Sequence, residues 1–207
     1  MTLIPFSSAF RGSTGENKHS LKTAAKIFSN KGYHQTTVDE IARALGVAKG
    51  TIYYHFKNKE ELYLAIIREG VYLLEEQMRL DISTANTPAE KIKKLIGGML
   101  SFIEDKKDLV FLFLKELYGT GIQREDLAKM ISGSLGLIRM VIEEGVKDGS
   151  FKKVDPEITT SSLFGMIIIS ALHYISYAKS IPHAQVSASI EQVFFAGILW
   201  PDTREGL

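Results

Sequence analysis

Thr37-Val38-Asp39-Glu40-Ile41-Ala42-Arg43-Ala44-Leu45-Gly46-Val47-Ala48-Lys49-Gly50-Thr51-Ile52-Tyr53-Tyr54-His55-Phe56 is the stretch whose reading decides the fold. Val38, Ile41, Ala42 and Leu45 stand at i, i+3, i+4 and i+7, which places one apolar stripe on a helix of two turns. Thr37 with Glu40 three residues later is a capping box: the hydroxyl accepts from a first-turn amide and the carboxylate reaches back to the N-cap amide. Gly46 supplies the backbone freedom that stops this helix and turns the chain sharply. A second helix is expected from Ala48 to Phe56. It buries Val47, Ile52 and Phe56 and leaves Lys49, Thr51, Tyr53, Tyr54 and His55 outward. Two short helices joined in this way are a helix-turn-helix, whose second helix enters the DNA major groove.

Working outward toward the N-terminus, Leu21, Ala24, Ala25 and Phe28 predict a preceding helix over 18–30 with Gly32 as its stop. Its other face carries Lys18, Lys22, Lys26 and Lys31. Residues 1–17 show no periodicity and are expected to form a flexible arm. On the C-terminal side, Asn58 with Glu61 three positions on predicts a new helix start. Leu62, Tyr63, Ile66, Ile67, Val71, Leu73 and Leu74 carry that helix to about residue 80, longer than a three-helix head needs. It is expected to connect head and body.

The body shows no strand pattern and no repeat. Thr87-Pro88-Ala89-Glu90 and Asp155-Pro156 each place an N-cap residue before a first-turn proline. Further helices are expected over 88–105, 109–117 (closed by Gly119-Thr120-Gly121), 124–147, 156–177 and 186–199. The fold class is therefore all-α: a helix-turn-helix head over 18–62 and a larger helical body over 63–207. The 156–177 helix is apolar nearly all round. Such a helix needs cover on all faces, from a central position or from a partner chain. Two C-terminal helices from each of two subunits would make a four-helix interface, so a homodimer through the C-terminal helices is expected.

Composition narrows the function. Residues 1–66 hold nine basic and five acidic side chains, so +4 lies there and −3 in the remainder of a chain of net charge +1. A basic head on a mildly acidic body suits a modular DNA binder. With no cysteine, disulfides and thiolate zinc sites are excluded. His19, His34, His55, His173 and His183 lack metal-ligand spacing, so no metal and no cofactor are expected. No basic n-region and long apolar segment open the chain, which predicts no secretory signal and a cytoplasmic, nucleoid-associated protein of bacterial or archaeal type. The longest apolar run, Leu163 to Leu172, is short of the roughly 18 residues of a membrane span. It is expected as a buried helix, with no membrane partner. No G-x-S-x-G elbow or phosphate-cradling glycine loop appears, and Glu143-Glu144 reads as a solvated face. The chain is not expected to be an enzyme.

Thr36-Thr37-Val38-Asp39-Glu40-Ile41-Ala42, Gly46 to Phe56 and Lys59-Glu60-Glu61-Leu62, with Ala24-Ala25, Phe28 and Lys31-Gly32-Tyr33 before them, closely resemble the DNA-binding domain of TetR (tetracycline-repressor-like) transcriptional regulators. The resemblance covers residues 18–66. Beyond residue 80 only the all-α architecture matches. It implies a dimeric regulator, usually a repressor, that leaves double-stranded operator DNA when a small-molecule effector binds the body. Carried over position by position, Thr37 sits where a helix N-terminus touches a phosphate. Lys49, Gly50 and Thr51 lie at the leading end of the recognition helix. Tyr53, Tyr54 and His55 match backbone clamps, and Lys59 matches a phosphate anchor at the start of the connector. Ala48 departs from the family's usual serine and removes a hydroxyl cap from the recognition helix.

Several positions stay open at this stage. Tyr53 either reads DNA or packs on the first helix of the pair, and Arg43 is either solvated or phosphate-facing. Met99, Phe102, Phe111, Phe113 and Met130, with His173, Tyr174 and Tyr177, are candidate walls and polar groups of a pocket for an apolar or aromatic effector. The same residues also fit an ordinary core or the dimer seam. The alternative function is a ligand-blind architectural or partner-binding DNA protein with the same head.

Overall fold

The structure, a computed structural model, describes Phe6 and residues 14–118, 124–178 and 180–199. Among the described residues there are nine helices and no strand. They are α1 (Thr14–Gln35), α2 (Val38–Leu45), α3 (Lys49–His55), α4 (Lys59–Ser83), α5 (Pro88–Asp105), α6 (Lys107–Tyr118), α7 (Arg124–Lys147), α8 (Pro156–Tyr177) and α9 (His183–Ile198). The expected arm lies largely outside the described residues, as do the Gly119-Thr120-Gly121 closure and the side chains of Lys18 and Leu127.

The start signals act as the sequence predicts. At α5, Thr87 Oγ1 accepts from the Glu90 amide at 3.2 Å, and the Glu90 carboxylate accepts from the Asn86 and Thr87 amides at 3.0 and 3.2 Å. Those amide bonds hold the Glu90 carboxyl below its ordinary range. At α8, Asp155 accepts from the Ile158 amide at 2.9 Å ahead of the proline. Asn58 caps α4 through the Glu61 amide at 2.8 Å, and the Glu61 carboxylate accepts from the Lys57 amide at 2.7 Å.

Packing divides the chain into two units. The first unit holds residues 1–73 and 106–130, and the second holds 74–105 and 131–207. In the first, α1 packs against α2 and α6, and α2 against α3. Its core joins Leu21, Ala24, Ala25 and Phe28 of α1 with Val38, Ile41, Ile52 and Phe56 of the helix-turn-helix. Leu62, Ile66 and Ile67 of α4 and Leu109 and Leu112 of α6 belong to the same core. Phe6 also belongs to it and stacks on Phe56 with ring centroids 6.2 Å apart. Helix α1 begins at Thr14, four residues ahead of the start at Lys18 expected from the sequence. A fully buried phenylalanine side chain contributes about 1.5–3 kcal/mol relative to exposure.

In the second unit α5 packs against α8 and α9, which also pack on each other. The core is Ile92, Leu95, Ile96, Met99, Leu100 and Ile103 of α5 with Leu163, Ile167 and Ala171 of α8 and Val186, Ile190, Phe194 and Ile198 of α9. Of the two ways to cover α8 left by the sequence, a central position and a partner chain, the single chain supplies only part of the first: Thr160, Leu163, Ile167 and Ala171 form one covered stripe. Ile158, Ile169 and Tyr177 are 68%, 62% and 81% exposed, and Val193 on α9 is 65% exposed. At 22 residues α8 is also, among the described residues, the one helix long and apolar enough to cross a bilayer by length and composition.

Candidate nucleic-acid interface

The helix-turn-helix is built by local chemistry. Thr37 is extended, with φ −110 and ψ 152, and its hydroxyl accepts from the Glu40 amide at 3.2 Å. The Glu40 carboxylate returns to the Thr37 amide at 3.3 Å and pairs with Lys31. Bonding to Lys31 and then to the Thr37 amide holds the Glu40 carboxyl below its ordinary value. Val38, Ile41 and Ala42 face the core. Gly46 ends α2 in the left-handed region at φ 68, where its amide reaches the Ala42 and Arg43 carbonyls. A Cβ is disfavoured in that conformation.

Ala48 begins α3 with no side-chain cap. The amide of Thr51 meets the Ala48 carbonyl at 2.9 Å, and no hydroxyl takes the part that the family's serine would. Ile52 and Phe56 are buried, which fixes the rotation of α3 and sets its other residues outward. Lys49, Gly50 and Thr51 are exposed. Tyr53 is 45% exposed and Tyr54 85%, so neither ring is packed away. His55 is half-buried and meets the Tyr54 ring edge-on at 5.0 Å. Arg43 is exposed in the last turn of α2.

Two lysines of the expected contact set already have partners. Lys49 Nζ lies 2.7 Å from Asp39 on α2 and 5.9 Å from the Tyr53 ring centroid. The bond to Asp39 raises the Lys49 pKa. Nothing in a separation of ten residues marks Asp39 as the partner of Lys49, because only the tight turn brings the two together. Lys59 is turned inward. Its Nζ donates to the carbonyls of Tyr33 at 2.8 Å, Thr36 at 3.0 Å and His34 at 3.3 Å, and it lies 4.4 Å from the Tyr33 ring centroid.

The expected pocket residues fall in both units. Phe111, Phe113 and Met130 belong to the first, where Phe113 and Met130 pack on the head's core. Met99, Phe102, His173, Tyr174 and Tyr177 belong to the second. There Met99 is buried, whereas His173 is exposed and packs its ring on Tyr174 at 5.4 Å and Tyr177 at 4.9 Å. No group of three or more His, Cys, Asp or Glu able to hold a metal occurs among the described residues.

Two short helices across a left-handed glycine, the second fixed by Ile52 and Phe56 so that Thr51, Tyr53 and Tyr54 face out, define a helix-turn-helix DNA-binding regulator. Residues 21–66 match the family model of bacterial regulatory proteins, tetR family, and residues 85–174 match that of the tetracyclin repressor-like C-terminal domain. The HTH-type transcriptional regulator YhgD of Bacillus subtilis is 33% identical over 153 residues, covering 72% of this chain and 78% of that one. The fatty acid metabolism regulator protein of the same organism is 27% identical over 180 residues, covering 86% and 93% of the two chains. Among solved structures, the transcriptional regulator FadR from Bacillus subtilis in complex with stearoyl-CoA superposes with a TM-score of 0.78. It is 26% identical, with 87% of this chain and 98% of that chain covered. The chain belongs to the TetR family of transcriptional regulators.

Proposed function

We propose that the chain is a repressor that releases its operator when a long-chain acyl-CoA thioester binds the second unit. The observation that carries this reading is the similarity to FadR bound to stearoyl-CoA, which extends over nearly all of both chains and so includes the body as well as the head. An acyl chain also suits the chemistry of the second unit, whose core is lined by aliphatic side chains with Met99 among them. This narrows the apolar or aromatic effector expected from sequence. Met99 and Phe102 of α5 are the residues we retain as acyl-contacting. We leave His173 and Tyr177 to the exposed α8 surface, with the half-buried Tyr174 beside His173.

The DNA-contacting set consists of Thr37, Lys49, Gly50, Thr51, Tyr53, Tyr54 and His55. In it Thr51 and Tyr53 are placed to meet base edges, and Thr37, Tyr54 and His55 to meet phosphates. The exposed apolar residues of α8 and α9 support a homodimer through these helices, which presents two recognition helices to two half-sites one turn, about 34–36 Å, or a multiple apart. The protein acts in the cytoplasm, on chromosomal DNA, without a membrane partner.

The test uses a duplex selected by the wild-type chain from a randomised pool, followed by anisotropy titration with stearoyl-CoA. Release at micromolar stearoyl-CoA, with coenzyme A alone inactive, is the expected result. Linkage adds a second requirement, since the thioester must bind the DNA-bound protein more weakly than the free protein by the same factor. Selection of a duplex that no acyl-CoA of any chain length releases would remove the effector reading and leave the ligand-blind alternative.

A further inference from the structure

Lys59 stands first in the connector helix α4, yet its ammonium is spent inside the chain. An ammonium has three N–H donors and no acceptor. Three carbonyls, Tyr33, His34 and Thr36, lie within 3.3 Å of it. These carbonyls exist as a cluster because Gly32, at φ 80, breaks α1 and leaves a turn before α2. Thr36 braces that turn by donating its hydroxyl to the Gly32 carbonyl at 2.8 Å. The next residue is Thr37, the N-cap of α2. Lys59 therefore fixes the point from which the helix-turn-helix departs.

A chain of contacts continues from there to α6. The Lys59 ammonium lies over the Tyr33 ring at 4.4 Å, and that ring stands 5.0 Å from the Tyr63 ring. Tyr63, one turn after Lys59, is buried and also packs edge-on against Phe28 at 4.8 Å. Its hydroxyl donates to Glu116 of α6 at 2.8 Å. Burial and then this bond push the Tyr63 phenol well above its ordinary pKa, so it stays protonated and a donor at neutral pH. Lys115, the neighbour of Glu116, donates from Nζ to the Ser29 carbonyl of α1 at 2.8 Å.

We propose that Lys59 is a positioning residue rather than a phosphate contact, and that the Glu116–Tyr63–Tyr33–Lys59 series sets the placement of the helix-turn-helix relative to α4 and α6. A cation shared among carbonyls at about 3 Å and an aromatic face is directional, so a shift of α4 along its axis is felt at Thr36 and Thr37. Phosphate attraction does not explain this arrangement, because no N–H of Lys59 is left to point at DNA.

The two roles separate by charge and by salt. Operator affinity is measured across a salt series on the selected duplex and on an unrelated duplex of equal length. The variants are Lys59→Arg, Lys59→Met, Tyr63→Phe and the double variant Lys59→Met/Tyr63→Phe, each checked by thermal unfolding. A positioning role predicts that Lys59→Arg, which keeps the charge but replaces a compact ammonium with a planar fork, loses about tenfold or more on the selected duplex. The unrelated duplex keeps its affinity and the salt slope stays at the wild-type value. It also predicts that the double variant binds no more weakly than Lys59→Met alone, since the two side chains act in one series. A Lys59→Arg variant that binds as wild type, with Lys59→Met lowering the salt slope by about one, would restore the phosphate contact and overturn the proposal. Independent, multiplying losses from Lys59→Met and Tyr63→Phe would overturn the series. Lys59→Arg and Tyr63→Phe preserve charge and ring respectively, so they carry the test should Lys59→Met fail to fold.

Discussion

The Lys49 ammonium and the Asp39 carboxylate face each other at 2.7 Å across the two helices of the helix-turn-helix, both side chains about half exposed. On the DNA-contacting face proposed above, a carboxylate opposes phosphate binding, and here it also occupies the lysine nearest the leading end of α3. Asp39→Asn is expected to raise affinity for any duplex severalfold at low salt and to steepen the salt dependence by about one, as one more cation becomes available. The head loses a little stability, because an acidic residue leaves the first turn of α2. Anisotropy titrations at several salt concentrations check this, and an unchanged slope would show that Lys49 already reaches DNA in the presence of Asp39.

Burial separates the two faces of α3 into binding and folding. Tyr54→Ala is expected to weaken operator binding at least tenfold while leaving thermal unfolding at the wild-type temperature, since the ring is 85% exposed. Ile52→Ala removes a side chain that is 1% exposed and is expected to cost about 2–5 kcal/mol. Calorimetry beside DNA titration distinguishes them. A Tyr54→Ala protein that melts early would place that ring in the fold.

The bond from Lys31, and then the Thr37 amide, hold the Glu40 carboxyl below the ordinary carboxylate range. A depressed folded pKa means that the stabilisation is present above the ordinary carboxylate range and is lost as pH falls through the lower, folded value. Glu40→Gln removes the pair with Lys31, so it is expected to lower the melting temperature at pH 7. The gap from wild type narrows as pH falls below the ordinary carboxylate range. A gap that stays constant from pH 7 to 3 would assign the effect to the capping geometry alone.

Asp81 shows the opposite sign. Its Oδ2 is buried without a hydrogen-bond partner among the described residues, against Gly98 of α5, while Oδ1 accepts from Gln77 at 2.9 Å. Burial raises its pKa above the ordinary aspartate range, outweighing the Gln77 bond and the attraction of Lys94. A raised carboxyl favours folding below its unfolded pKa and loses that stabilisation as pH rises through the folded one. Asp81→Asn is therefore expected to raise the melting temperature at pH 7.5 and to bring no gain at pH 3.5. Destabilisation at neutral pH would show that the charged form is satisfied.

The exposed apolar residues of α8 and α9 give a test of assembly. Ile169→Glu and Val193→Glu place charge on side chains that are 62% and 65% exposed, so the fold of one chain tolerates them. Light scattering is expected to show a wild-type dimer and monomeric variants, with operator affinity falling as the second half-site contact is lost. Wild-type protein that floats with lipid vesicles while remaining monomeric would assign α8 to a bilayer surface instead.

Most of the head was legible from spacing and capping. Thr37, Glu40, Gly46, Ile52 and Phe56 do what their positions require, because short-range hydrogen bonds and a 3.6-residue period determine them. Legibility ended where the partner is distant in sequence. Tyr63 reads as one more apolar position on α4, and its bond to Glu116 spans 53 residues. Lys59 read as a phosphate contact because a lysine beside a helix-turn-helix has that simplest use. Its three carbonyl partners lie 23 to 26 residues earlier and exist only because Gly32 breaks α1. The effector residues were the least legible, since apolar periodicity marks burial without distinguishing a pocket wall from a core.

The packing of α6 against α1 has a consequence for exchange of parts between relatives. Leu109 and Leu112 close the same core that Phe28 and Ile41 begin. A graft that takes residues 1–83 from this chain and the remainder from a relative therefore brings together halves of a single interior. Recombination within the family is constrained to move α6 with the reading head, or to choose donors whose α6 side chains match in volume. Specificity swaps confined to the outward residues of α3 avoid that constraint, and they offer the safer route to a new operator.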